Sequence, residues 1–320
     1  MVGYWASLRV GAGGGWAVLI ICCAAALLCC CAGEVEAQEG GIETFAANTL
    51  FEEGWRLSTT DLYERRRTLY SGSKDVANPE GLKITEHRTV GAVDYGLFPN
   101  LTASLLIPII YQKARLPAAS GGKVDSFGLA DISVLGKYRI FKKDWEQSSL
   151  NLALIGGLEI PTGKTDEKEG GLLLPPEQQP GFGAWNPMAS VASTLSLDRV
   201  RLDAFAFYKF NTEGTQSFER GDFFAMEVAG SYRFLHTEYP GPTASVRLGC
   251  QYRNEQRGEI DGHTNPNSGS DQILLRIGLT VHPFPGVDFN TNVDVPVFQE
   301  YKGVQLGLDL RLFFGLGFRF

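Results

Sequence analysis

Apolar and polar residues alternate from Val304 to Phe320 in "GVQLGLDLRLFFGLGFRF". Val304, Leu306, Leu308, Leu310, Leu312, Phe314, Leu316, Phe318 and Phe320 fall on one side of an extended chain. Gln305, Gly307, Asp309, Arg311, Phe313, Gly315, Gly317 and Arg319 fall on the other. A period of two belongs to a β-strand. This strand would be about three times the usual length of roughly 5–6 residues. The same pattern recurs in "DISVLGKYRI", "SVRLGCQYR", "QILLRIGLTVH" and "VDFNTNVDVPV". Helical spacing fits none of these.

Twelve such runs are predicted as strands: 50–68, 82–97, 101–115, 127–142, 148–161, 184–197, 200–212, 221–236, 243–256, 271–283, 286–299 and 303–320. The alternation is blurred in the first, second and sixth. Connections after the even-numbered strands are short, such as "FPN", "DR" and "PFPG". Most after odd-numbered strands are long and polar, notably "TGKTDEKEGGLLLPPEQQPGFGA" and "RGEIDGHTNPNSGS". An even strand count, short turns at one end and long loops at the other predict a transmembrane, antiparallel, up-and-down β-barrel of about twelve strands. Phe98, Phe141, Trp145, Tyr239, Phe284 and Phe320 gather near the short turns, as an interfacial girdle would. A soluble sandwich would be built from strands half as long.

The amino-terminal end supplies a compartment. Arg9 precedes the apolar run "WAVLIICCAAALLCCCAG", followed by a small-x-small site at Val35 and Ala37. This reads as a secretory signal peptide over residues 1–37, cleaved near Ala37. Residues 38–49 would then form a periplasmic segment, inside or capping the opening, and 50–320 the barrel. Five of the six cysteines lie in the signal, leaving Cys250 and excluding an intrachain disulfide. Removing Arg9, Glu34 and Glu36 changes the net charge from −7 to −6, which argues against nucleic-acid binding. Mean hydropathy near zero is no objection to a membrane barrel, because alternation averages it away.

Local motifs carry little chemistry. "IPTGKT" lacks the glycine that a phosphate loop needs at Leu158. "DGHTNPNSGSD" has Pro266 where a calcium loop needs glycine, and turn residues account for it. The four histidines share no visible constellation with serine. No catalytic, cofactor or metal residues are assigned, and an enzyme is not expected. Pro108, Pro161 and Pro296 lie toward the long-loop end of rising strands. They are expected to end regular pairing there.

Strand phase places Asp131, Lys137, Arg139, Glu159, Arg201, Asp203, Lys209, Glu227, Arg233, Arg247, Arg276, Asp294, Asp309 and Arg311 inside the barrel. Both signs occur on neighbouring strands, so many should pair. Phe205, Phe207 and Phe223 share that face with Leu106, Ile110, Leu135, Ile155 and Phe313. Either these line a path for an apolar or aromatic solute, or they mark bulges that shift the phase.

"LADISVLGKYR" (Leu129–Arg139), "IPTGK" (Ile160–Lys164), "FYKFNTEG" (Phe207–Gly214) and "GSYRF" (Gly230–Phe234) resemble the outer-membrane family labelled "putative meta-pathway of phenol degradation". Ala130 stands where that family more usually has glycine. The resemblance covers Thr85 to Phe320 and implies an outer-membrane barrel admitting hydrophobic or aromatic, phenol-like compounds by passive diffusion. It carries no catalytic residues. The partners expected are outer-membrane lipid, the small solute and the barrel assembly machinery, since Phe320 resembles that machinery's terminal aromatic signal. A structural or adhesive barrel and a surface hydrolase are the alternatives.

Overall fold

The computed structural model describes residues 46–116 and 122–320. The span 1–37 expected to be a signal peptide, and residues 38–45 of the segment expected to follow it, lie outside the described residues.

Eleven antiparallel strand elements close into a barrel: β1 Trp55–Gly72, β2 Lys83–Phe98, β3 Leu101–Arg115, β4 Ile132–Trp145, β5 Ser148–Ile160, β6 Asn186–Leu197, β7 Val200–Lys209, β8 Phe223–His236, β9 Thr243–Glu255, β10 Ser270–His282 and β11 Val287–Arg319. Each pairs with its sequence neighbour, and β1 pairs with β11 to close the ring. Closure leaves no open edge, which hydrocarbon requires of any spanning sheet. Two short strands, Lys74–Val76 and Lys123–Leu129, extend β1 and β3 outside the ring.

The last element explains why eleven strands stand where about twelve are predicted. It runs 33 residues without interruption. Its first half pairs with β10, through Val293 opposite Ile277. Its second half pairs with β1, through Leu312 opposite Tyr63. The chain turns at Gly303, whose φ of 85° suits glycine. The halves lie side by side, since Arg319 N donates to Gly286 O at 2.7 Å. A single element therefore supplies two staves.

Other boundaries move for local reasons. The predicted 127–142 strand is interrupted at Ala130 and Asp131. Ala130 N donates to Pro108 O, while the Asp131 carboxylate is engaged by a long loop. Pro108 marks the place where β3 exchanges β4 for Lys123–Leu129 as its partner. Pro161 follows the last residue of β5, and Pro296 adjoins a register shift between Ile273 and Leu274. All three prolines thus sit at breaks in the ladder, as a residue without an N–H should. β1 begins at Trp55 rather than residue 50, because the preceding segment enters the lumen.

The two ends differ as expected. Trp55 and Phe320 exchange backbone hydrogen bonds at 2.8 and 3.0 Å beside the short turns. Long connections at 161–185, 210–222 and 256–269 gather at the opposite end. Burial alternates strictly in the first part of β6: Asn186, Met188, Ser190 and Ala192 are buried, and Pro187, Ala189 and Val191 are exposed. Val191, Leu154, Ile277, Leu248 and Phe314 each leave about half their surface outside, and they belong to a belt around the barrel. Such a belt exceeds what a water-soluble surface tolerates and suits acyl chains.

Candidate functional site

The inward-facing side chains of the barrel divide into two sides. One is apolar. Leu106, Leu135, Ile155, Met188, Phe205 and Phe207 form a buried cluster with Val90 and small alanines, and Phe223 packs against it. The Phe207 and Phe223 rings lie 6.2 Å apart, and Arg253 caps Phe223 at 4.9 Å. These aromatics are inside the barrel, so the bulge alternative does not apply to them.

The other side is a ladder of charge. Arg201 meets Asp203 at 2.7 Å, and Asp203 meets Arg247 at 3.2 Å. Arg247 and Arg276 share Glu227, each at 2.7 Å. Arg276 also grips Asp294 with two parallel bonds, of 2.7 and 2.8 Å. Strand register builds the last pair, since Arg276 lies directly opposite Asp294. Phe313 continues the ladder, with Arg276 4.9 Å and Arg311 5.9 Å from its ring centroid. Arg311 then bonds Glu64 at 2.8 Å, and Arg66 bonds the other oxygen of Glu64 at 2.5 Å. Alternating signs let each charge meet the desolvation cost of its neighbour.

The segment 46–50 enters from the short-turn end. Ala46 and Ala47 are almost wholly buried. Ala47 N donates to Thr194 Oγ1 at 3.0 Å, and Thr194 in turn donates to Asp203. Lys137 Nζ donates to Asn48 O at 3.3 Å, and Leu50 N donates to Thr102 Oγ1 at 2.9 Å. Below this segment lies a cavity of about 880 Å³ lined by Arg56, Asp94, Arg139 and Phe320. Under the long loops, at the other end, lies a second of about 510 Å³.

The remaining predicted positions take varied places. Lys209 pairs with Glu159 at 3.4 Å, and Asn186 holds the same carboxylate. Arg139 donates to Pro99 O at the lower mouth, and Arg233 lies 3.1 Å from His236 Nδ1. Asp131 is a loop anchor: its carboxylate accepts Gly163 N at 2.8 Å, Phe182 N at 2.7 Å and Gly183 N at 3.1 Å. Register shifts near Arg66 interrupt the simple alternation that groups Asp309 with Arg311. Leu308 becomes buried, and Asp309 bonds Thr68 and lies 3.4 Å from the exposed Arg67. The same irregularity blurs "LYERRRTLY", so Glu64 and Arg66 escape a reading of the sequence. Thr194, Phe182, Phe218 and Gln178 carried no pattern signal.

The family described as "Putative MetA-pathway of phenol degradation" matches residues 70–311. The crystal structure of the COG4313 outer membrane channel from Pseudomonas putida F1 is similar at a TM-score of 0.65 and 16% identity, covering 90% of this chain and 100% of that one. The β domain of the Bordetella autotransporter BrkA gives a TM-score of 0.47 at 10% identity, covering 84% and 100%. The CymD monoaromatic hydrocarbon channel gives 0.38 at 11%, covering 84% and 88%. Among curated proteins no relative matches the chain.

Proposed function

The chain belongs to the family described as "Putative MetA-pathway of phenol degradation", and on that premise we propose that it is a passive channel of the bacterial outer membrane for small hydrophobic or aromatic solutes. One observation carries this reading. The lumen holds a contiguous apolar cluster, Leu106, Leu135, Ile155, Phe205 and Phe207, where a pore for sugars or ions would present polar groups. Charged neighbours on the facing strands are already paired, so they hold the wall in shape without demanding a charged solute. The belt of exposed aliphatic and aromatic residues supplies the lipid contact. Phe320, beside the closing seam, is the feature offered to the barrel assembly machinery.

The rival, a structural or adhesive barrel, needs only the paired charges and would gain nothing from the apolar side. Uptake by intact cells separates the two. Deleting the gene should slow entry of a labelled phenol at limiting concentration and leave entry of a pentose unchanged. Unchanged phenol entry would contradict the channel.

A further inference from the structure

The outer face of the barrel differs from one wall to the other above the lipid belt. On β1, β2, β3 and the strand Lys123–Leu129, register sets the outward residues in rows. Tyr63 lies opposite His87, His87 opposite Tyr111 and Tyr111 opposite Phe127. Their sequence neighbours Leu62, Gln112 and Ser126 are buried inside. Ring centroids are 5.0 Å apart for Tyr63 with His87 and 6.4 Å for Tyr111 with Phe127. Near the short turns, Trp55 and Tyr95 pack at 4.6 Å. Eight residues of tilted strand from Trp55 to Tyr63 give a height of roughly 20 Å. The two aromatic rows thus bracket the apolar belt, as the girdles of a membrane barrel do.

Cations stand in the rows above. Lys113 follows Tyr111 by two residues, its Nζ 5.3 Å from that ring. At the next level Lys83 is directly opposite Arg115, and Arg115 directly opposite Lys123. All four are exposed. Adjacent strands are about 4.8 Å apart, so Lys83, Arg115 and Lys123 start from backbone positions within roughly 10 Å. Like charges directly opposite one another destabilise a sheet. Among the described residues no ion pair reaches these three, and Asp125 faces Lys113 one level below. The row is also pinned from within, where Ile84, Ala114 and Val124 pack with Leu174 of the outer loop. Its repulsion is relieved by an anion outside rather than by splaying of the strands.

The opposite wall carries the other sign. Tyr208 donates to Asp222 at 2.9 Å, Tyr252 donates to Asp271 at 2.6 Å, and Glu300 lies opposite Asp271. An attraction for lipid shared evenly around the rim would not segregate charge in this way.

We propose that the wall bearing Lys83, Lys113, Arg115 and Lys123 is a docking site for a phosphorylated glycolipid of the outer leaflet. Its phosphates would meet the cations, and its acyl chains would follow the belt below Tyr111 and Phe127. Continuity with that belt selects a ligand with acyl chains. The cations lie just beyond the girdle, at headgroup height, and an arginine can grip two phosphate oxygens at once. This site requires only the outer-membrane location and is indifferent to what the lumen passes.

Native mass spectrometry of the purified protein in detergent tests this, because the bound mass identifies the lipid. The probes are bisphosphorylated lipid A, the same lipid stripped of both phosphates, and phosphatidylglycerol. Wild-type protein should retain the first in preference to the other two, and excess inorganic phosphate should not displace it. Arg115→Gln/Lys123→Gln should hold it about 30-fold more weakly, roughly five-fold for each cation lost. Without lipid this variant should melt at or above the wild-type temperature, because repulsion has been removed, so lost binding is not lost folding. Glu300→Gln, on the acidic wall, should bind as the wild type does. Wild-type affinity in the double variant, or equal retention of the dephosphorylated lipid, overturns the site. Phosphatidylglycerol held as tightly, or displacement by inorganic phosphate, overturns the glycolipid as its occupant.

Discussion

The guanidinium of Arg276 lies 4.9 Å from the ring centroid of Phe313 while both its faces of hydrogen-bond donors are spent on Glu227 and Asp294. An aromatic on the inward face of the last stave would be out of place in a watery pore. Here it separates Arg276 from Arg311 and offers each cation its π-face. Phe313 therefore belongs to the charged side of the lumen.

Removing Arg276 alone should be severe. Arg276→Met leaves Glu227 and Asp294 buried without their shared cation, at a cost of about 3–5 kcal/mol. The temperature at which the folded barrel unfolds in detergent, followed by circular dichroism, should fall sharply. Adding Asp294→Asn to the same chain should recover much of the loss, since Glu227 keeps Arg247 and no carboxylate is then left without a cation.

Asp131 should control the outer loop rather than conduction through the middle. Its carboxylate accepts three backbone N–H bonds from residues 163–183, each worth about 1.5–3 kcal/mol as a charged acceptor. Asp131→Ala should expose the 161–185 loop to protease added outside intact cells, while barrel thermal stability changes little. Cleavage at the wild-type rate would show that other contacts hold the loop.

The segment at 46–50 should limit ion flow. Lys137→Met removes the donor to Asn48 O, and Thr194→Ala removes the acceptor of Ala47 N. The double variant should show a higher single-channel conductance in planar bilayers. Unaltered conductance would mean that the apolar cluster, not this segment, sets the barrier.

How far the sequence disclosed this protein differs between its parts. Alternation in 303–320, 271–283 and 200–212 is long and uninterrupted, so the barrel and the inward phase of Arg276, Phe205 and Phe207 follow from a period of two. Short turns such as Asp198–Arg199 disclosed which end carries the termini. Where the chain departs from that period the reading fails for physical reasons. Bulges near Arg66 hid Glu64 and moved Asp309, and the Asp131 anchor cut a strand in two. Ala47 and Phe182 lie in segments with no period at all. Their roles depend on contacts across more than 30 residues, such as Ala47 with Thr194, which only the fold reveals.

Permeation of purified full-length protein in liposomes addresses the channel most directly. Entry of p-cresol and of a pentose would be timed against protein-free vesicles, with Phe205→Ser/Phe207→Ser as the companion variant. The expected result is p-cresol entry well above the lipid background, negligible pentose entry, and loss of that preference when the two rings become hydroxyls. Pentose entering as readily as p-cresol, or p-cresol entering no faster than through bare lipid, would contradict it.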